Sequence, residues 1–168
     1  MDAAAGTLPS VSWVYASQGL SEHPTDSVRQ GMAWTVSQIN AIVKGGLWPS
    51  VAVFITWDDW GGWADHVVPP SVELWSDGTQ FRYGSRVPCL VLSPYARQAY
   101  ISKALHSHVS LVRFCEVTFG LPSLNMRDAD ADGMQDCFDF GQQVGPLPAA
   151  SGATRRSKST KKRARGGR

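Results

Sequence analysis

The sequence predicts an α/β protein in which helices cover the faces of a β-sheet. This prediction follows from two apolar runs rich in β-branched residues, two segments with helical apolar periodicity, and their alternation along the chain. A chain of 168 residues, 43% hydrophobic and 18% charged, can bury a core. The composition excludes a collagen-like, coiled-coil or wholly disordered protein.

Apolar runs predict the strands. Residues 51–57 (VAVFITW) are too apolar for a strand with one wet face and too short for a typical helix, so we expect a buried central strand. Residues 87–93 (VPCLVLS) form a second such run that ends before Pro94, and residues 11–15 (VSWVY) form a shorter third one. The three runs predict one sheet.

A helix is predicted over residues 27–44. Its apolar residues recur every three or four positions and form one face: Val28, Met32, Val36, Ile39 and Val43. Thr25 or Asp26 is placed to cap its start, and Gly45-Gly46 suits its end.

A second helix is predicted over residues 109–119. Ser107 is placed as its cap, and Gly120 follows its last residue. The residues expected to face inward are Leu111, Phe114, Cys115 and Thr118.

The net charge of +2 hides a strong asymmetry, because eight of the 16 basic residues lie within residues 155–168. Residues 1–152 hold eight Lys and Arg against all 14 acidic residues, a net charge of −6. We expect residues 1–10 and the basic tail 145–168 to be disordered, with one folded unit at 11–144 between them. Such a tail contacts anionic polymers or lipid non-specifically, or only keeps the protein solvated.

The ends of the chain and the cysteines give little information on the compartment. No apolar run is long enough for a membrane helix, and residues 1–6 lack the basic and apolar regions of a signal peptide. Cys89, Cys115 and Cys137 are odd in number and far apart, which fits neither a CxxC metal site nor a small disulfide framework. We expect them to be mostly buried thiols.

The segment 57–66 (WDDWGGWADH) concentrates polar chemistry where the first apolar strand ends. Ligands in open α/β sheets bind beyond the carboxyl ends of strands. Adjacent residues of a strand point to opposite faces, so Asp58 and Asp59 converge only if the backbone turns, which Gly61-Gly62 permits. A divalent cation would remove their mutual repulsion, whereas the alternative is a polar junction with an Asp-capped turn.

A histidine precedes the first long helix, in the motif SEHP at residues 21–24. Pro24 favours an extended backbone at His23, which lets the imidazole project from a loop. A lone histidine is most often a structural hydrogen-bonding residue, but it is also a metal ligand or, when protonated, a phosphate contact.

These motifs together resemble the bacterial phosphoesterase family of phospholipases C and acid phosphatases. The likeness runs in order over residues 11–140, through SEHP at 21–24, TWDDWGGWADHVVPP at 56–70, GSRVPCLVLSPYA at 84–96, HVSLVRFCE at 108–116, FGLP at 119–122, RDA at 127–129 and FDF at 138–140. Several motifs are longer than four residues, which makes chance agreement improbable.

The resemblance implies an alkaline-phosphatase-like α/β fold and hydrolysis of phosphate esters, either phospholipids or phosphomonoesters, by a metal-activated hydroxyl nucleophile. Asp58 and Asp59 match paired ligands of a divalent metal ion, and His23 matches an active-site histidine that faces the phosphoryl group. Asp65 and His66 lie in a matching segment, where we expect them to orient the loop rather than to bind metal.

The resemblance covers only the carboxy-terminal portion of the family pattern. An early Glu-Asn metal motif, Ser-Phe-Asp and a later Ser or Thr nucleophile belong to the amino-terminal half, and none precedes Ser10. We therefore expect a fragment, a truncated open reading frame or one piece of a split protein, with little or no activity alone; in the last case another chain would carry the missing half. Many similar full-length proteins are exported.

Two non-catalytic alternatives remain open. Residues 128–139 (DADADGMQDCFD) place carboxylates at positions one, three, five, nine and twelve of a calcium-loop pattern, with glycine at six. This pattern departs from a calcium loop at Asp139, which is shorter than the usual Glu. The second alternative is a binding module with an aromatic platform formed by Trp57, Trp60, Trp63 and Trp75.

Overall fold

The computed structural model describes residues 2–143, which form a mixed α/β structure with two small antiparallel sheets. Its helices and strands, in chain order, are α1 (Asp2–Ala5), α2 (Val28–Lys44), β1 (Val53–Thr56), β2 (Ser71–Leu74), β3 (Gln80–Arg82), β4 (Cys89–Leu92), α3 (His108–Phe119) and α4 (Met126–Ala129). Two 3₁₀ turns lie at Trp48–Ser50 and Gln135–Cys137. The mixture of helices and strands is as predicted, and the basic tail 145–168 lies outside the described residues.

Strands β1 and β4 pair antiparallel, with Val53 opposite Leu92 and Thr56 opposite Cys89. Both strands lie within the predicted runs. The prediction of a buried central strand is wrong, because β1 has a single partner among the described strands and is half-buried along its length. A two-stranded ladder leaves the second edge and part of one face uncovered.

A β-hairpin formed by β2 and β3 was not predicted. Its turn contains Asp77 and Gly78, and Gly78 adopts φ 82°, a conformation that favours glycine. The Asp77 carboxylate accepts hydrogen bonds from the amide and hydroxyl of Thr79 at 2.9 and 2.7 Å. The Asp-Gly pair between two β-prone runs was the available sequence signal.

An aromatic cluster forms the core beside β1. The rings of Phe54 and Phe114 lie 4.9 Å apart, and that of Phe138 lies 5.3 Å from Phe114 and 6.2 Å from Phe54. Phe138 and the neighbouring Met134 are buried. The cluster joins β1, α3 and the segment after α4.

Helix α2 forms where the periodicity predicts it, but its N-cap is Ser27 rather than Thr25 or Asp26. Four residues of its predicted apolar face are exposed, namely Val28, Met32, Val36 and Val43. Gly31 is instead buried, because the Glu22 side chain occupies the space that a β-carbon there would need. The helix therefore packs on the described residues through a different face from the predicted one.

Helix α3 matches its prediction more closely. Ser107 is the N-cap residue, where its amide donates to the Ser110 hydroxyl at 3.1 Å, and Gly120 ends the helix with φ 64°. Thr118, predicted to face inward, is exposed. Glu116 is buried instead, because Arg113 and Ser123 contact its carboxylate at 3.2 and 3.4 Å.

The first 15 residues differ from their predictions. Residues 2–5, expected to be disordered, form α1, since three consecutive alanines favour a helix and Gly6 and Thr7 donate back to its carbonyls. Residues 11–15 do not form a strand: no described strand pairs with them, and Val14 and Tyr15 are exposed.

The cysteines are less buried than predicted. Cys89 is exposed, and Cys115 and Cys137 are half-buried. All three are free thiols. Desolvation, followed by the nearby Asp136 carboxylate, raises the pKa of Cys137 to about 11.

Candidate functional site

His23 lies in a tight turn immediately before α2. The Asp26 amide donates to the His23 carbonyl at 2.6 Å, and the Asp26 carboxylate accepts from the Gly19 amide at 3.0 Å, which holds the turn. The imidazole is exposed and borders an open cleft of about 530 Å³ that Gln18, Ser21 and Asp26 also line. The turn therefore presents the imidazole to solvent beside a cavity.

The hydrogen bonds of His23 determine which of its ring nitrogens is available. Nδ1 lies 2.5 Å from the Pro24 carbonyl oxygen. A carbonyl oxygen only accepts hydrogen bonds, so the neutral ring carries its proton on Nδ1. Nε2 is then left with its lone pair, and it becomes a donor when the ring is protonated.

Asp58 and Asp59 lie at the tip of the loop that follows β1. Both are exposed, and Asp59 Oδ1 accepts a hydrogen bond from the Gly61 amide at 2.6 Å. Gly61 and Gly62 have φ values of 67° and 81°, so the backbone reverses as the glycine pair predicted. Within residues 2–143 the Asp58 carboxylate makes no side-chain hydrogen bond, which leaves its oxygens available to a ligand.

The loops that carry His23 and Asp58-Asp59 approach each other at Pro24 and Gly61. A β-carbon placed on Gly61 would lie 3.5 Å from Pro24 Cγ, which is ordinary van der Waals distance. Pro24 follows His23 directly, and the Gly61 amide donates a hydrogen bond to the Asp59 carboxylate. The fold thus brings together two motifs that are distant in sequence.

Both ends of the Asp58-Asp59 loop are anchored. At its start, Nε2 of His108, the first residue of α3, donates to the Trp57 carbonyl at 2.8 Å. At its end, Asp65 accepts from the Arg86 guanidinium at 2.8 and 2.9 Å and from the Arg86 amide at 3.1 Å. These contacts fix the flanks of the loop and leave its tip exposed.

The pair with Arg86 also keeps the Asp65 carboxylate ionised. Hydrogen bonds from Arg86, with a further one from the Val67 amide, hold the pKa of Asp65 well below its usual range. Asp65 thus ties its loop to Arg86, 21 residues along the chain. The His66 side chain is 91% exposed, and its Nδ1 lies 3.9 Å from Asp65.

Sequence reasoning missed His108 and Arg86 as anchors. His108 stands next to the predicted helix cap Ser107, and nothing in the sequence shows which carbonyl its ring reaches. Arg86 lies 21 residues from Asp65, a separation that no local pattern reveals. Their positions in motifs shared with the family were the only signal available.

Two carboxylates of the calcium-loop pattern accept hydrogen bonds from nearby backbone amides. Asp128, its first position, accepts from the Leu124 and Asn125 amides at 2.6 and 2.8 Å and so caps α4. Burial opposes ionisation of Asp128, but the hydrogen bonds from these two amides lower its pKa. The twelfth position, Asp139, accepts from the Gly141 amide at 2.9 Å. The carboxylates are used in separate local turns rather than around one centre.

The tryptophans of the proposed platform differ in their surroundings. Trp75 lies on the β2–β3 hairpin and packs its ring 4.8 Å from that of Phe81. The Arg127 guanidinium covers the same pair, 4.3 Å from the Phe81 ring. Trp60 and Trp63 are exposed on the loop after β1.

Known proteins similar to this chain are phospholipases. Phospholipase C B of Mycobacterium tuberculosis is 31% identical over 161 residues, which cover 83% of this chain and 31% of that protein. The non-hemolytic phospholipase C of Burkholderia pseudomallei is 34% identical over 85% of this chain and 24% of its own length. The non-specific phospholipase C6 of Arabidopsis thaliana is 28% identical over 80% of this chain and 31% of its own length.

The chain thus spans about a third or less of the relatives that it matches. Among the described residues, no helix is both long and apolar enough to cross a membrane. A sequence profile of the Phosphoesterase family matches residues 1–122, well over half of the chain. This protein therefore belongs to the phosphoesterase family.

Proposed function

We propose that this chain carries part of the active site of a phosphoric ester hydrolase of the phospholipase C or acid phosphatase type. The observation that supports the proposal best is the approach of the His23 turn to the Asp58-Asp59 loop at Pro24 and Gly61. The phospholipase relatives point to the same reaction class. A phosphate ester bound between the two loops would meet the His23 imidazole on one side and the carboxylates on the other.

Asp58 and Asp59 are the proposed ligands of a divalent metal ion. Their oxygens are exposed at the tip of an anchored loop, and carboxylate oxygen is a donor that hard divalent cations accept. The residues therefore fit a metal in their donor chemistry, although two carboxylates alone do not fill a coordination shell. When bound, the ion would neutralise phosphate oxygens and lower the pKa of a hydroxyl nucleophile.

His23 is the proposed contact to the phosphoryl group. Its Nδ1 proton is engaged by the Pro24 carbonyl, so Nε2 faces outward. The protonated ring donates from Nε2 to a non-bridging oxygen, where the negative charge of the transition state develops. The Pro24 carbonyl accepts from Nδ1 in both charge states, so Nε2 is the nitrogen available to the phosphoryl group.

We further propose that the nucleophile and the remaining metal ligands come from a family segment outside these residues, on a partner chain or on a longer protein. Its relatives are about three times as long or longer. The exposed apolar face of α2 (Val28, Met32, Val36 and Val43) is a surface that such a segment would cover. On this proposal, the chain is the C-terminal portion of an alkaline-phosphatase-like fold and is inactive alone.

Complementation tests both parts of the proposal. The chain is co-expressed with the region of Mycobacterium tuberculosis phospholipase C B that lies outside the match, and hydrolysis of phosphatidylcholine and p-nitrophenyl phosphate is measured with divalent ions. We expect activity from the pair and none from this chain alone. In the active pair, Asp58→Asn or His23→Ala should lower kcat by about 100-fold.

Asp77→Asn is the matched control, since Asp77 is an exposed carboxylate in the hairpin turn. It should leave kcat unchanged. Full activity of the pair with Asp58→Asn would contradict the metal assignment. Metal-dependent hydrolysis by the chain alone would show that the nucleophile lies within these 168 residues.

A further inference from the structure

A second cluster of metal-ligating side chains lies away from the His23 and Asp58-Asp59 loops. His106, Asp136 and Cys137 each offer one ligand atom, and these atoms all lie within 4.8 Å of one another. His106 Nε2 is 3.9 Å from Asp136 Oδ1, which in turn is 3.6 Å from Cys137 Sγ. No motif noted in the sequence contains all three residues.

The backbone explains why these residues meet. Ala96 and Phe138 form an isolated antiparallel bridge, and Arg97 donates its amide to the Cys137 carbonyl at 2.9 Å. This pairing holds the 3₁₀ turn Gln135–Cys137 against the chain that leads to His106. The cluster therefore rests on main-chain hydrogen bonds rather than on mobile side chains alone.

A carboxylate orients the histidine from its far side. Asp132 Oδ1 lies 3.0 Å from His106 Nδ1, which is close enough for an ion pair. The two atoms are not aligned for a hydrogen bond. Nδ1 is buried and has no other partner among the described residues. Metal-bound histidines characteristically direct their second ring nitrogen at a carboxylate. Asp132 occupies that position when Nε2 faces the ligands.

We propose that His106 Nε2, Asp136 and Cys137 Sγ bind a divalent transition-metal ion of the zinc class, with Asp132 as the positioning residue of His106. A nitrogen, an oxygen and a sulfur ligand suit zinc, whereas calcium and magnesium select oxygen alone. Zinc bonds of about 2.0 to 2.3 Å place tetrahedral ligands roughly 3.3–3.8 Å apart. To reach that geometry the three side chains would draw together, and the Ser102 hydroxyl, 2.7 Å from His106 Nε2, would move aside.

Ser102 raises a competing interpretation. Its Oγ lies 2.7 Å from His106 Nε2, so Ser102, His106 and Asp132 are arranged like a serine nucleophile with its base. The same hydroxyl, however, donates to Asp136 Oδ2 at 2.5 Å. A carboxylate at that distance repels the negative charge of an acyl-transfer transition state but attracts a cation, which favours the metal.

Cobalt titration tests the site independently of phosphoesterase activity. The purified chain, reduced and freed of metal with a chelator, is titrated with Co²⁺ and its absorption recorded. We expect one equivalent to give a thiolate-to-cobalt charge-transfer band that Zn²⁺ abolishes. The proposed ligands of the other site, Asp58 and Asp59, are carboxylates, so Asp58→Asn should leave the band unchanged.

Variants locate the ligands. Cys137→Ser should abolish the band, and Asp132→Asn should retain it with an affinity weakened by about 10- to 100-fold. Cys115→Ser is the matched control, because Cys115 is also a half-buried thiol, and it should leave the band intact. Circular dichroism checks that each variant is folded, and Zn²⁺ should also protect Cys137 from alkylation in the unmodified chain.

Three results would overturn the proposal. The first is a folded chain without the band, and the second is a band that persists in Cys137→Ser. The third is covalent labelling of Ser102 by a fluorophosphonate in metal-free protein, which would identify a serine nucleophile instead.

Discussion

Helices α2 and α3 both carry regular apolar faces, but they bury them to different extents. On α3, Leu111, Phe114 and Cys115 are half-buried or better, and Phe114 joins the aromatic cluster. On α2, Met32 is 58% exposed and Val28 54%. Periodicity therefore predicts that a helix forms, whereas the burial of its face depends on what else is available to cover it.

This difference predicts that folding free energy is concentrated around α3. Phe138→Ala should show the largest effect, a loss of about 3–5 kcal/mol in the free energy of unfolding, because the ring is buried between Phe54 and Phe114. Urea unfolding followed by circular dichroism measures it. Phe140→Ala is the control: its ring stacks on Phe138 but is exposed, so the loss should be about 1 kcal/mol.

A smaller effect on stability is expected at the Asp65–Arg86 ion pair, which lies between α2 and α3 in the sequence. Asp65→Asn should lower the Tm at pH 7, since the variant loses the ion pair with Arg86. Because folding depresses the pKa of Asp65 from 3.8, its contribution is present above pH 3.8 and is lost as the pH falls below that value. The difference in Tm between the two proteins should therefore narrow in acid.

Thermal scans from pH 7 to pH 2.5 measure that difference. Asp77→Asn serves as the comparison: hydrogen bonds from Thr79 also lower the pKa of Asp77, so its Tm difference should narrow in acid too, but by less because no cation is involved. A Tm difference for Asp65→Asn that is constant with pH would contradict the ion-pair explanation.

The smallest effect is expected on the exposed face of α2. Met32→Ser should change the free energy of unfolding by no more than about 0.5 kcal/mol, since the Met32 side chain is exposed and its removal uncovers little buried apolar surface. Ile39→Ser on the same helix should cost more, because Ile39 is half-buried. Equal losses would show that the whole face is packed in solution, and sedimentation velocity would then reveal whether self-association covers it.

The sequence was informative where local rules determine structure. Helix α3 was predicted within one residue of its observed start, and Gly120 adopts the left-handed conformation expected after its end. The reversal at Gly61-Gly62 follows from the same conformational preference. In each case the signal lies within a few residues of the structure that it specifies.

The sequence was misleading where the outcome depends on distant partners. The apolar run at 51–57 fits a central strand, but a strand is central only if neighbours pair on both sides. Asp128 and Asp139 fit a calcium pattern by spacing, yet backbone amides nearby bind their oxygens. The His106 cluster was not found at all, because a bridge between Ala96 and Phe138 assembles it.

The approach of Pro24 to Gly61 has a consequence for the order of folding events. The two residues are separated by the whole of α2 and β1, so the approach requires closure of a long loop and cannot precede the helix and the strand pairing that position it. Local turns and helices form in microseconds or less, whereas contacts of long sequence separation form later. A spectroscopic probe on the His23 turn should therefore report assembly of the candidate site later than the formation of its local turns and of α2.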